Sequence, residues 1–100
     1  MIYNKLVRDK IPEIISANGE CCNVRILEDE DYRICLEKKL DEEVGEFHRD
    51  RNLEELADIL EVVYALAECL GSRQELMEIY DAKHQKRGGF SQRIFLISKE

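Results

Sequence analysis

The sequence has no apolar run approaching the roughly 18 residues that a membrane-spanning helix needs. Its opening stretch, "MIYNKLVRDK", is charged and lacks the apolar core of a secretory signal. Both absences lead to the expectation of a cytoplasmic protein. No CxxC pair occurs among the four cysteines, Cys21, Cys22, Cys35 and Cys69. That disfavours a cysteine-built zinc site, which stays as the weaker alternative. Cys35 and Cys69 lie in helix-like apolar contexts, where a free thiol acts as a small hydrophobe. Positive charge is in deficit: 15 Lys and Arg stand against 22 Asp and Glu, a net charge of −7. Nucleic-acid binding by bulk electrostatics is excluded on that balance. An acidic chain that handles phosphates needs a cation between itself and its substrate. Repeats, low-complexity segments and linkers are absent. The two histidines, His48 and His84, have no acid or nucleophile at a diagnostic spacing and do not read as catalytic.

What is present fits one small domain over residues 1–100, with a modest core. Hydrophobic residues make up 44% and charged residues 37%, the latter above the roughly 25% usual in globular chains. Pro12 suits the first turn of a helix, and Asn18-Gly19 suits its left-handed end. The "VRIL" run at 24–27 reads as a brief strand. Tyr32, Leu36, Leu40, Val44 and Phe47 recur at helical spacing, which predicts a second helix from about Asp31 to Phe47 or His48. The polar "HRDRN" then breaks the pattern. A third helix follows Asn52 and stops at Gly71. Apolar residues cover most of its circumference, from Leu53 through Val62 to Leu70, so it must be covered on several sides. Three other short helices cannot do that, and a homodimer or homotetramer is expected. Ser72 and Glu75 open a fourth helix, from about Arg73 to Gln85, as a capping box. "RIFLISKE" reads as a second short strand, able to pair with "VRIL". The fold expected is all-α, with helices two and three as an antiparallel hairpin and a short two-stranded β element beside it.

The stretch "KLDEEVGEF", Lys39 to Phe47, sets a carboxylate inside an apolar stripe. At about 100° per residue, with Leu36 at zero, Phe47 falls near 20° and Glu43 near −20°. Glu46 lies on the edge of that arc, one turn from Glu43. The third helix repeats the pattern with Glu55 and Asp58. In an antiparallel pair, residues whose numbers share a sum lie level; Glu43 with Asp58 and Glu46 with Glu55 share one. That register puts the turn near Asp50-Arg51 and brings four carboxylates together in two layers. At ~5 Å and an effective dielectric near 20, each ionised pair costs roughly 3 kcal/mol. Protonation, pairing with Lys or Arg, or a divalent cation would relieve the repulsion. Oxygen ligands without His or Cys suit Mg²⁺ or Mn²⁺.

Blander readings stand beside this one. A helical Glu is usually solvated, and Glu42, Glu54, Glu61 and Glu68 read that way. Glu55 is spaced from Asn52 as a capping box. Lys39, one turn before Glu43, can form an ordinary salt bridge with it. Two basic groups stand out: Lys86 and Arg87 (with Lys83) before Gly88-Gly89-Phe90, able to clamp a phosphate, and Lys5, Arg8 and Lys10, a basic cluster near the start of an acidic chain. A basic last helical turn, or plain surface solvation, would explain them equally.

The paired motif "EEVGE … EELAD" resembles the ExxE…ExxD signature of the MazG-like, all-α nucleoside triphosphate pyrophosphohydrolases. "YNKLVRDKIPEII", "KLDEEVGEF", "LADILEVV" and "KRGGF" also resemble a small subgroup related to phosphoribosyl-ATP pyrophosphohydrolase. The resemblance spans nearly the whole chain. It implies an all-α oligomer and Mg²⁺-dependent cleavage of a nucleotide's α–β phosphate bond to monophosphate and pyrophosphate. Carried over by position, Glu43, Glu46, Glu55 and Asp58 would be metal ligands, and Lys86, Arg87, Lys5, Arg8 and Lys10 candidate phosphate contacts. One of them, Glu43 or Glu46 first, would serve as general base through a bound water. The gap between Glu46 and Glu55 is shorter than is usual in that family. The alternative is therefore a non-catalytic helical oligomerisation or nucleotide-binding module with a degenerate site.

Overall fold

The computed structural model describes all of residues 1–100. Four helices follow one another: α1 (Ile11–Ala17), α2 (Asp29–Asp50), α3 (Leu53–Leu70) and α4 (Arg73–Arg87). The chain is all-helical. Neither expected strand forms: residues 24–27 and 94–97 carry no regular structure. The two runs have strand-like composition, but a strand needs a neighbour to take its backbone hydrogen bonds. No hydrogen bond joins them here.

Local chemistry explains the helix ends. Pro12 sits in the first turn of α1. Gly19, with φ 81°, closes that helix. Its N–H donates to the Ser16 carbonyl at 3.0 Å and the Glu20 N–H reaches back to Ile15 at 3.2 Å, a paired C-terminal cap that needs a left-handed residue. α2 begins two residues earlier than its apolar spacing predicts and runs to Asp50. Asp29, Glu30 and Asp31 fill its first turn, and His48 and Arg49 its last, each sign matched to the helix dipole. Periodicity cannot see such polar ends. Arg51 then takes a left-handed φ of 50° and Asn52 extends, so two residues reverse the chain. Asn52 Oδ1 accepts the Glu55 N–H at 3.0 Å, and Ser72 Oγ accepts the Glu75 N–H at 3.1 Å. α4 continues past Gln85 to Arg87, where the Gly88 N–H closes on the His84 carbonyl.

α2 and α3 pack side by side as the antiparallel hairpin, α4 touches only α3, and α1 has no helix as a close backbone neighbour. The core is very small. Only Leu36, Val62 and Glu43 are buried, and all three belong to the α2–α3 seam. The chain measures 62 × 31 × 22 Å, with a radius of gyration of 17.9 Å. A compact 100-residue domain has about 13 Å. Much of the apolar surface of α3 stays open, with Leu53 81% and Leu70 80% exposed.

Candidate metal centre

The hairpin turn at Arg51-Asn52 fixes the register of the site. Glu43 and Glu46 project from the C-terminal half of α2, and Glu55 and Asp58 from the first turns of α3. Each of the four offers a carboxylate oxygen, and these oxygens all lie within 4.8 Å of one another. Opposite ligands of an octahedral Mg²⁺ are about 4.2 Å apart, so the cluster is close to cation size. Among the side chains that could hold a metal ion, these four are the only group that converges. The cysteines do not converge: all four are free, with Cys35 half-buried and the others exposed.

Burial separates the four acids. Glu43 is 7% exposed, whereas Glu46, Glu55 and Asp58 are half-buried. Glu43 Oε2 and Glu55 Oε2 are shielded from solvent and have no hydrogen-bond partner. A buried acceptor left unpaired costs about 1–3 kcal/mol, more when charged. Asn52 caps the Glu55 backbone, but the Glu55 carboxylate makes no return bond. The reciprocal half of a capping box is therefore missing, and that carboxylate belongs to the cluster.

Loss of hydration and crowding raise the proton affinity of two of the four acids. Loss of hydration raises the Glu43 pKa above the usual carboxylate range, the Glu46 charge adds to it, and Lys39 opposes it. Glu55 is raised as well, by loss of hydration and then by Glu46, Asp50, Asp58 and Glu43. Cations relieve part of the repulsion. Lys39 Nζ lies 3.5 Å from Glu43 Oε1 and 3.6 Å from Glu42, as the one-turn spacing suggested. Arg49 stands 3.9 Å from Glu46. Arg8 donates to Asp58 at 2.6 Å and reaches Glu61 at 3.5 Å. Glu55 alone has no flanking cation. Three partial counter-charges leave two oxygens on the inner side unanswered, the position where an all-oxygen site would take a hard divalent cation.

Of the basic residues named from sequence as phosphate contacts, the structure brings only Arg8 to the cluster. Its bonds are also the only hydrogen bonds between residues 1–27 and the rest of the chain. Lys5, Lys10, Lys86 and Arg87 form no ion pair. The Arg49–Glu46 contact is a three-residue helical spacing that sequence could have supplied. Glu61, read as solvated, is exposed yet serves as the second anchor of Arg8. Glu68, read the same way, accepts the Arg73 N–H at 2.9 Å and ties α3 to the start of α4.

No protein-family profile matches the chain. An uncharacterized protein of Mycolicibacterium smegmatis is 48% identical over 54 residues, which is 50% of this chain and 55% of that protein. The match thus spans about half the length of that curated relative, and its description carries no activity. No solved structure matches.

Proposed function

We propose that this chain is a MazG-like, divalent-cation-dependent nucleoside triphosphate pyrophosphohydrolase, cleaving the α–β phosphate bond to leave monophosphate and pyrophosphate. Clearing non-standard nucleotides is the role that suits it. The observation that supports the reading is the convergence of four carboxylates with two buried, unpartnered oxygens. Glu43, Glu46, Glu55 and Asp58 would hold the cation, Mg²⁺ or Mn²⁺. Bound there, it would neutralise phosphate charge and position a water for in-line attack. Glu43 or Glu46 takes that water's proton. The water oxygen would bond to phosphorus as the α–β bridging P–O bond breaks, and the product released, pyrophosphate or the nucleoside monophosphate, would carry away the electron pair. Arg8, half-exposed beside Asp58, is the nearest guanidinium to meet an anionic substrate.

A nucleotide panel with Mg²⁺ and Mn²⁺ and product identification tests this. The expected result is pyrophosphate release from some nucleotide, lost in Glu43→Gln. No release across the panel would refute it.

One observation favours a second reading, a helical oligomerisation or nucleotide-binding module without turnover. Lys39, Arg8 and Arg49 already balance much of the cluster's charge. That reading predicts nucleotide binding with no product, and any metal-dependent product removes it. Under either reading we take the protein to be a homodimer or homotetramer. No helix is long and apolar enough to cross a membrane, and four free cysteines fit the reducing cytoplasm.

A further inference from the structure

The chain exposes 9513 Å². A compact protein of 11.7 kDa exposes about 5,900 Å². The excess, about 3,600 Å², exceeds the roughly 1,000–2,500 Å² that each copy gives to one obligate interface. A surface this large is what a chain shows when its partners have been taken away. Part of that excess lies in two segments of unusual character.

The first is residues 24–27, where Val24 is 64% and Ile26 91% exposed. The second is residues 94–97, where Ile94, Phe95, Leu96 and Ile97 are all at least 78% exposed. A turn closed by the Arg93 N–H on the Phe90 carbonyl at 3.0 Å precedes this tail. Alternate residues of an extended chain face opposite ways. The tail is apolar on both faces, so it suits a strand covered on both sides. No backbone group of either segment makes a hydrogen bond within the chain. Neither is a strand within the chain, but each leaves its backbone groups without a partner there, and an exposed apolar run with free backbone groups is a template for pairing.

Their flanks are charged with opposite sign. Residues 28–31 are four consecutive acids, Glu28 to Asp31, and they line a cavity of about 480 Å³ with no other residue. Residues 83–93 carry Lys83, Lys86, Arg87 and Arg93 and no acid. Within one chain these segments stay unpaired. Between two chains, pairing of the apolar runs would set the basic flank of one beside the acidic flank of the other.

We propose that the segments pair between copies: residues 94–97 of one chain add as a strand to residues 24–27 of a second, and the reciprocal exchange closes a two-fold dimer. The strands expected from sequence then form, as an interface element rather than a feature of the monomer. This interface does not depend on the nucleotide chemistry. Loss of turnover leaves it standing, and loss of the interface leaves the carboxylate cluster in place.

The test uses the full chain. Light scattering gives the mass in solution. Methyl NOEs filtered for contacts between labelled and unlabelled copies, in a mixed sample, report pairing across chains. The expected result is a mass of two copies or a multiple, with cross-chain NOEs from Val24 and Ile26 to Ile94, Leu96 or Ile97. A monomer at about 100 µM, above the micromolar range of a weak specific contact, overturns the proposal. So does a dimer whose tail methyls show no cross-chain NOE to 24–27. Leu96→Pro removes a ladder donor and should weaken dimerisation at least about tenfold while helical content persists. An unchanged dissociation constant counts against the exchange. If that variant unfolds, the wild-type NOEs decide.

Discussion

Replacing Glu43 with Gln keeps the side chain's shape and removes its charge, so it separates repulsion from packing. At the widest separation of 4.8 Å and an effective dielectric near 20, one like-charge pair costs at least about 3.5 kcal/mol before screening by water. Glu43 faces three such neighbours, and Lys39 at 3.5 Å returns about 4.7 kcal/mol on the same scale. Glu46 and Asp58 keep 32% and 39% of their side chains in water. That exposure to water cuts the net severalfold. The expected gain for Glu43→Gln in EDTA at neutral pH is about 1–2 kcal/mol, read from urea denaturation at fixed protein concentration. The pH dependence has a definite sign. A carboxyl whose folded pKa is raised binds its proton more tightly when folded. Its contribution is complete below the unfolded value of 4.5 and fades as pH rises through the folded value. Metal-free wild type should therefore lose stability as pH climbs from about 4.5 toward neutrality, and the variant should lose less. Mn²⁺ at 100 times its dissociation constant should return about 2.7 kcal/mol to wild type and far less to Glu43→Gln. A variant less stable than wild type in EDTA at neutral pH refutes the reasoning, because the Lys39–Glu43 pair would then outweigh the repulsion.

Arg8 competes with any cation for Asp58. Arg8→Gln should tighten Mn²⁺ binding about fivefold, the upper end for a half-exposed ion pair, measured by electron paramagnetic resonance of free Mn²⁺. Lys10→Gln removes the same charge nearby without a contact and should change the affinity less; equal effects, or weaker binding in Arg8→Gln, would show that Arg8 is no competitor. Asn52→Ala removes the cap of α3 at the hairpin turn and should cost about 1 kcal/mol. A change in the urea midpoint within error would mean that the Glu55 N–H finds water equally well.

The helical hairpin was legible because its signals are local. Apolar spacing gives the facing stripes, Asn52 and Ser72 give the starts, and Gly71 the stop. Once the turn is placed, the level pairs Glu43–Asp58 and Glu46–Glu55 follow by counting. The polar ends of α2 and α4 were not legible, since charged residues carry no periodicity; dipole complementarity in Asp29–Asp31 is the cue that would have extended α2. Arg8 on Asp58 spans 50 residues, and no spacing rule reaches that far. The strands failed for a related reason. "VRIL" and "RIFLISKE" have strand composition, but composition does not say which chain supplies the neighbour.

In a core of three buried residues, one is a carboxylate. A charge placed there lowers stability unless something offsets it, and rules of folding are commonly broken where a protein binds. General screening and a bound cation can be told apart. Arg49 and Arg8 keep 69% and 54% of their side chains exposed, so added salt weakens their attraction along with the repulsion, whereas Lys39, 20% exposed, is screened less. The shielded oxygens of Glu43 and Glu55 lie beyond the reach of a diffuse ion atmosphere and respond only to an ion that enters. Millimolar MgCl₂ should therefore raise the thermal midpoint by several degrees, on the scale of about 4–8 °C per kcal/mol for a domain of this size. NaCl at equal ionic strength should move it little. Glu55→Gln should abolish the difference between the two salts while Glu54→Gln, one residue away on the exposed face, keeps it. Equal midpoints in the two salts for wild type would mean that the cluster is balanced by its own lysine and arginines, and the divalent centre would fall with that result.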